Sequence, residues 1–257
     1  MNGVVAVPGS SPRAMILTLG LVATLCGVLI VSAYQGTLEA VTANKRIALE
    51  RAVFKVIPGA ATMKEFVATG QGVAANGNGE KFYAAFDAAG VLKGVAAEAA
   101  APGYADVVRV LYAYDPAKQA VTGMGVIAMR ETPGIGDKII TDPAFLKNFD
   151  ALDARLNADG TALANPIKVV KHGTKRNAWE IDAISGATVT TKAVGKGIND
   201  SAQRLLPKLV PHLDQVKGER VDVKGEGGRV KGDKTSAALP FPFSLPPSPF
   251  TKEGGPA

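Results

Sequence analysis

Val107-Val108-Arg109-Val110-Leu111-Tyr112-Ala113-Tyr114 is the run on which the fold turns. β-Branched and aromatic residues fill it almost without a break, Asp115-Pro116-Ala117-Lys118 closes it with a turn, and Val121 to Met129 follows as a second strand. That is the pattern of a hairpin. Towards the N-terminus, Phe82 to Phe86 and Val91 to Ala97 read as two further short strands joined around Asp87-Ala88-Ala89-Gly90. Towards the C-terminus, Asp142 to Leu156 is predicted as a helix begun by Asp142-Pro143, with Ile167 to Val170 and Ala178 to Ile184 as strands. Thr190 to Leu205 closes the series as a helix capped by Thr190 or Thr191. The order β-β-β-β-α-β-β-α predicts an α+β domain built on a mainly antiparallel sheet with helices.

Ahead of this domain, Ala14 to Ala33 carries no charged side chain over twenty positions. At about 1.5 Å per residue such a helix crosses a hydrocarbon core of roughly 30 Å. The thirteen residues before it hold Arg13 and no acid, whereas both signs follow it in Glu39, Lys45, Arg46, Glu50 and Arg51. A short, acid-free leader favours an N-terminus inside and the domain outside the cytoplasm. Cleavage after Val31-Ser32-Ala33 is the competing reading. The apolar run exceeds a typical signal sequence in length, which favours a retained anchor. From Gln35 to about Ile57, apolar positions alternate helically with charged ones until Pro58-Gly59, predicting a juxtamembrane helix. Gly70 to Glu80 reads as a Gly- and Asn-rich loop.

Composition narrows the function. A chain of 257 residues with 47% hydrophobic and 20% charged residues accommodates one core-forming domain plus an apolar span. The net charge of +6 comes without a Lys/Arg run or an interleaved aromatic stripe, so nucleic acid is not an expected partner. The sole cysteine, Cys26, lies inside the apolar span, which excludes an intrachain disulfide and a cysteine-ligated cluster. His172 and His212 share no metal-ligand spacing with acids, and no metal site is expected.

Two motifs carry chemistry. Asp182-Ala183-Ile184-Ser185-Gly186-Ala187-Thr188-Val189-Thr190-Thr191 places hydroxyls behind small residues that let a bulky group approach the backbone. Upstream, Arg130-Glu131-Thr132-Pro133-Gly134-Ile135-Gly136-Asp137-Lys138 combines a Pro-Gly turn with a second glycine that allows close backbone approach to a ligand. The first resembles the D-x-x-S/T-G-A-T flavinylation motif, and the second the E-T-P-G-L/I-G segment, of the membrane-anchored FMN subunits of redox-driven ion pumps. The resemblance spans about residues 10 to 206 and is closest in form to the G subunit of the Rnf (Rsx) electron-transport complex. The C subunit of the sodium-translocating NADH:quinone reductase comes next.

That resemblance implies a covalent FMN, transferred from FAD by a flavin transferase and esterified through its phosphate to Thr188. Ser185, Gly186, Ala187, Thr190, Glu131, Thr132 and Gly134 would line the cofactor, with Asp182 as a recognition or metal-proximal carboxylate during transfer. Gly103-Tyr104 matches a Gly-Tyr of the family, so Tyr104 would stack near the flavin or cap the core. Trp179 would either shield the flavin or sit in the core. The implied role is an electron carrier with no complete active site of its own, in a complex coupling ferredoxin:NAD oxidoreduction to ion translocation. Its partners would be the other membrane subunits, and its place the bacterial inner membrane, single-pass, with the domain on the extracytoplasmic side. No ionisable group other than the Cys26 thiol lies in the span, so the ion path belongs elsewhere. A quinone-reductase C-type subunit or a stand-alone extracytoplasmic FMN carrier are the alternatives.

The expected organisation is a leader over 1–13, a transmembrane helix over 14–34, a juxtamembrane helix and loop over 35–80, an FMN-binding domain over 81–206 and a tail over 207–257. The tail is rich in Pro and Gly without apolar periodicity and is predicted to be disordered and dispensable.

Overall fold

The structure, a computed structural model, describes residues 11–218. It opens with α1 (Pro12–Val56), a single helix of 45 residues. Pro12 occupies its first turn and the Ser11 side chain accepts from the Ala14 N–H, a capping arrangement that fixes the start. At about 1.5 Å per residue it reaches about 68 Å, so the apolar span and the predicted juxtamembrane helix are one rod. An apolar window within it has a mean hydropathy of 2.6 and none of it is buried by the rest of the chain. Residues 34 to 48 are also exposed, and packing begins only at Leu49.

The strands are β1 (Thr62–Thr69), β2 (Gly72–Ala74), β3 (Glu80–Phe86), β4 (Leu92–Pro102), β5 (Val107–Asp115), β6 (Ala120–Ala128) and β7 (Leu152–Asp153). Among the described residues they form one antiparallel sheet in the order β2-β1-β3-β4-β5-β6-β7. A second, parallel pair joins β8 (Lys168–Val170) to β9 (Glu180–Asp182). Between β6 and β7 lie α2 (Lys138–Thr141), α3 (Pro143–Leu146) and a 3₁₀ turn over Lys147–Phe149. After β9 come α4 (Thr188–Leu209), a 3₁₀ turn over Val210–His212, and α5 (Leu213–Gly218).

The nearly unbroken apolar reading of Val107 to Tyr114 has a simple cause. Val108, Val110, Tyr112 and Tyr114 face the main core with α4, while Leu111 and Ala113 face a second cluster. That second cluster is closed by Val53, Val56 and Ile57 at the end of α1. A sheet covered on both faces loses the apolar–polar alternation of a half-solvated strand. Close approach is arranged by small residues. A Cβ at Gly123 of β6 would stand 2.6 Å from the Val56 carbonyl oxygen, and one at Gly197 of α4 3.3 Å from the Ala100 backbone of β4. The Tyr112 hydroxyl and Ser201 Oγ are 3.1 Å apart, and Ser201 Oγ donates to the Glu98 carbonyl, stitching α4 to the sheet.

The α+β class with a mainly antiparallel sheet is as expected, but five details differ. β1 and β2 fall within the stretch read as helix and loop over 35–80, so the sheet begins well before residue 81; Lys64 and Glu65 interrupt the apolar signal of β1. β4 runs five residues past Ala97, to Pro102. The predicted helix over Asp142 to Leu156 is instead α3, a 3₁₀ turn and β7; Asp142 does cap a helix, accepting from the Ala144 and Phe145 N–H groups, but that helix is one turn long. Thr190 and Thr191 are not caps. α4 begins at Thr188 with Ala187 as its N-cap. Finally, the predicted tail does not begin at residue 207. α4 continues through Pro207, and the segment to Gly218 is helical, with Leu209 and Val216 fully buried. The remainder of that tail, 219–257, lies outside the described residues.

Candidate functional site

The site grows from the exit of β9. Residues Ile184 to Ala187 form a β-turn closed by the Ala187 N–H donating to the Ile184 carbonyl at 3.1 Å. Gly186 has φ +85°, the left-handed geometry that a type II turn requires at its third position and that a side chain resists. Ala187 then caps α4 without offering a side-chain acceptor, and no acid stands in the first turn. The N–H groups at the positive end of a 22-residue helix are therefore left open to a ligand.

Hydroxyl exposure separates the candidates within this motif. Thr191 is 0% exposed; its Oγ1 donates to the Ala187 carbonyl at 2.7 Å and accepts from the Ile184 N–H. Thr190 is 2% exposed and donates to Glu131 Oε2 at 2.8 Å. Ser185 and Thr188 are exposed, Ser185 in the turn and Thr188 as the first residue of α4.

Glu131 is the point where three distant segments meet. Its Oε1 accepts from the Tyr104 N–H at 3.0 Å and the Ala105 N–H at 3.2 Å, while Oε2 takes the Thr190 hydroxyl. Gly103 lies so close to Glu131 Oε1 that a Cβ has no room, and a Cβ at Gly136 would stand 2.6 Å from Glu131 Cβ. Thr132 to Ile135 make a turn with Pro133 second and Gly134 third, φ +77°, closed by the Ile135 N–H on the Thr132 carbonyl. That turn brings Gly136 back against Glu131. Thr132 and Gly134 themselves are exposed. Among the described residues outside α1, the large apolar side chains left exposed are Val91, Tyr104, Val107, Ile127, Ile135, Ile140 and Val189. Of these, Tyr104, Ile135 and Val189 belong to the segments that meet at Glu131.

Residues below the turn hold it in place. Asn148, 5% exposed, accepts from the Asp182 N–H at 3.0 Å and donates to the Asp182 carbonyl at 3.3 Å. The Asp182 carboxylate accepts from the Gly173 N–H at 2.7 Å, and His172 Nδ1 stands 2.9 Å from the Ala183 carbonyl and 3.6 Å from Asp182 Oδ2. Glu180, buried, accepts from the Arg176 and Asn177 N–H groups and pairs with Lys168; the backbone bonds chiefly hold its carboxyl down to about 2. Trp179 is half-buried beside it. Asn148 and His172 had no visible signal. Asn148 lies inside the stretch read as a helix, and His172 stands out in the sequence only for sharing no metal-ligand spacing with acids. Along α4 runs a groove of about 460 Å³, whose lining includes Pro102, Val169, Val189 and the side chains of Lys168, Lys192 and Lys196.

Residues 103–203 match the FMN-binding domain family. Among curated relatives, the chain is 37% identical over 101 residues to the G subunit of the Na(+)-translocating ferredoxin:NAD(+) oxidoreductase complex of Acetobacterium woodii, covering 39% of this chain and 43% of that one. It is 33% identical over 114 residues to the G subunit of the ion-translocating oxidoreductase complex of Pasteurella multocida, covering 44% of this chain and 51% of that one. The match thus spans about half the length of these relatives. Among solved structures, the crystal structure of Shewanella oneidensis NqrC shares the fold, with a TM-score of 0.51, 20% identity, and coverage of 68% of this chain and 99% of that one.

Proposed function

We propose that this chain is the membrane-anchored flavoprotein subunit of an ion-translocating electron-transport complex of the ferredoxin:NAD type, carrying FMN on Thr188 through a phosphoester. The single observation behind the attachment site is exposure. Thr190 and Thr191 are buried with their hydroxyls engaged, which leaves the exposed Ser185 and Thr188, and of these Thr188 stands at the start of α4 in the place of the motif's last threonine. Such an attachment would join Thr188 Oγ1 to the FMN phosphorus of FAD as the phosphoanhydride bond breaks, AMP leaves and the hydroxyl proton is released.

The residues present suit the group. Open N–H groups of α4 favour a phosphate, Gly186 and Ala187 leave room beside it, and the exposed Tyr104, Ile135 and Val189 offer apolar surface to a flavin ring. Bound FMN would supply passage of one or two electrons, linking two-electron donors to one-electron carriers. The protein's share is retention: outside the cytoplasm a tether keeps the flavin's effective concentration high near membrane partners. α1 would hold the domain to the membrane on its extracytoplasmic side, raised on the exposed stalk between Ala33 and Leu49. Relatives named as G subunits support this reading over a quinone-reductase C-type subunit, because the likeness to NqrC shows the fold alone.

Intact mass of protein made in a host with the flavin transferase tests the attachment. An addition of FMN minus water is expected, absent in Thr188→Ala. An adduct that survives in that variant, or maps to Ser185, Thr190 or Thr191, rejects it.

A further inference from the structure

We infer that Glu131 is a positioning residue that sets the first turn of α4 for flavin attachment and does not itself hold the flavin. The inference rests on the reading of Thr188 as the acceptor. Both carboxylate oxygens are committed to protein donors: Oε1 to the Tyr104 and Ala105 N–H groups, Oε2 to the Thr190 hydroxyl. Gly103 and Gly136 press against the side chain, since neither leaves space for a Cβ beside it, and the residue is half-buried. A group packed in this way is a poor ligand and a good clamp.

The clamp has a direction. Thr190 is two residues beyond Thr188, in the same helical turn, and its hydroxyl is drawn to a carboxylate that the 103–105 loop holds from the other side. Rotation of the first turn of α4 would break this bond and turn Thr188 away from its exposed position. The Ala187 carbonyl, which takes both the Thr191 N–H and its hydroxyl, resists such rotation from within the helix; Glu131 resists it from outside. Two hydroxyls of the motif therefore orient the helix so that a third can react.

The negative charge is not required by this geometry. Glutamine at 131 can accept from the two N–H groups through its carbonyl and donate to Thr190 Oγ1 through its amide, because a threonine hydroxyl accepts as readily as it donates. Alanine can do neither, and aspartate is shorter by one methylene.

The test uses the full-length chain in detergent with purified flavin transferase and FAD, following the initial rate of covalent loading by intact mass, with the attachment mapped by peptide and the thermal midpoint measured separately. Glu131→Ala and Glu131→Asp are expected to load at least tenfold more slowly, Glu131→Gln within about twofold of wild type, and Thr190→Val several-fold more slowly. In the double variant Glu131→Ala/Thr190→Val, no loss beyond that of Glu131→Ala alone is expected, because both act through one bond. Wild-type loading in Glu131→Ala overturns the inference, and so does a Gln variant as slow as Ala, which would give the charge a direct part. Should Glu131→Ala fail to fold, Gln and Thr190→Val decide: unchanged loading in Thr190→Val overturns the clamp. A wild-type chain that takes no flavin on Thr188 overturns the underlying reading instead, which peptide mapping distinguishes.

Discussion

Asn148 grips Asp182 by both of its backbone polar groups, accepting from its N–H at 3.0 Å and donating to its carbonyl at 3.3 Å. A side-chain amide thus replaces a strand neighbour at the point where β9 ends and the turn leading to Thr188 begins. The same amide donates to the Phe145 carbonyl and accepts from Lys175 Nζ. Asn148→Ala leaves these groups without partners in a half-buried setting. The expected loss is about 2 kcal/mol, a drop in thermal midpoint of roughly 4–8 °C for a domain of this size. Calorimetry of the purified protein checks it. A change below about 1 °C would mean that water replaces Asn148 at no cost.

Glu180 gives the fold an acid dependence of known sign. Its carboxyl is held below its ordinary value of 4.5, to about 2, first by the Arg176 N–H and then by Asn177, with Lys168 adding to the effect. A depressed folded pKa stabilises when the group is ionised in both states. The contribution is therefore complete above the unfolded value of 4.5 and disappears as pH falls towards 2. Urea midpoints of wild type and Glu180→Gln should differ most at neutral pH and converge between pH 4.5 and 2. A gap that persists unchanged at the acid end would assign the effect to packing.

The C-terminal boundary offers a third test. Truncation after Leu206 deletes Leu209 and Val216, both fully buried, and Gln215, whose Oε1 accepts from the Val73 N–H at 3.0 Å and so steadies β2 at the sheet edge. Loss of two such side chains costs at least about 3 kcal/mol. Truncation after Gly218 keeps every one of these contacts. A cooperative melt at the wild-type midpoint for the shorter chain would show that α5 contributes nothing.

Which parts of this were legible in the sequence follows from range. The Val107–Tyr114 strand and its hairpin partner were, because apolar density and a Pro-containing turn are local. The turns at Gly134 and Gly186 were legible for the same reason, since each needs a glycine at a positive φ. β1 was not, as Lys64 and Glu65 stand mid-strand and only pairing with β2 and β3 makes the run a strand. The Asp142 cap was correct, yet nothing nearby announced that the helix stops after one turn to let Asn148 reach β9. The boundary at residue 207 falls short in the other direction. Proline normally ends a helix by removing a bond, but Leu205, Leu206 and Leu209 bury the same face on either side and carry α4 past it. The meeting of Tyr104, Glu131 and Thr190 was invisible as geometry, since it joins positions 27 and 59 residues apart.

Thr188→Val is the sharpest test of the proposed role. Valine keeps the β-branched shape at the first position of α4 and removes the hydroxyl. That hydroxyl is exposed and caps nothing, so the thermal midpoint should move by no more than about 2 °C. Flavin should be lost from the chain altogether, and with it ferredoxin:NAD oxidoreduction in membranes, while the complex still assembles. Ser185→Ala, which removes the other exposed hydroxyl of the motif, should keep flavin and activity. Gly134→Val should differ from both: strain at φ +77° disturbs the turn behind Glu131, changing the absorption of the bound flavin while the bond to Thr188 still forms. Full membrane activity in a Thr188→Val complex verified to lack flavin would reject the carrier role. If wild-type membranes lack that activity as well, quinone reduction by the same membranes becomes the reaction to measure.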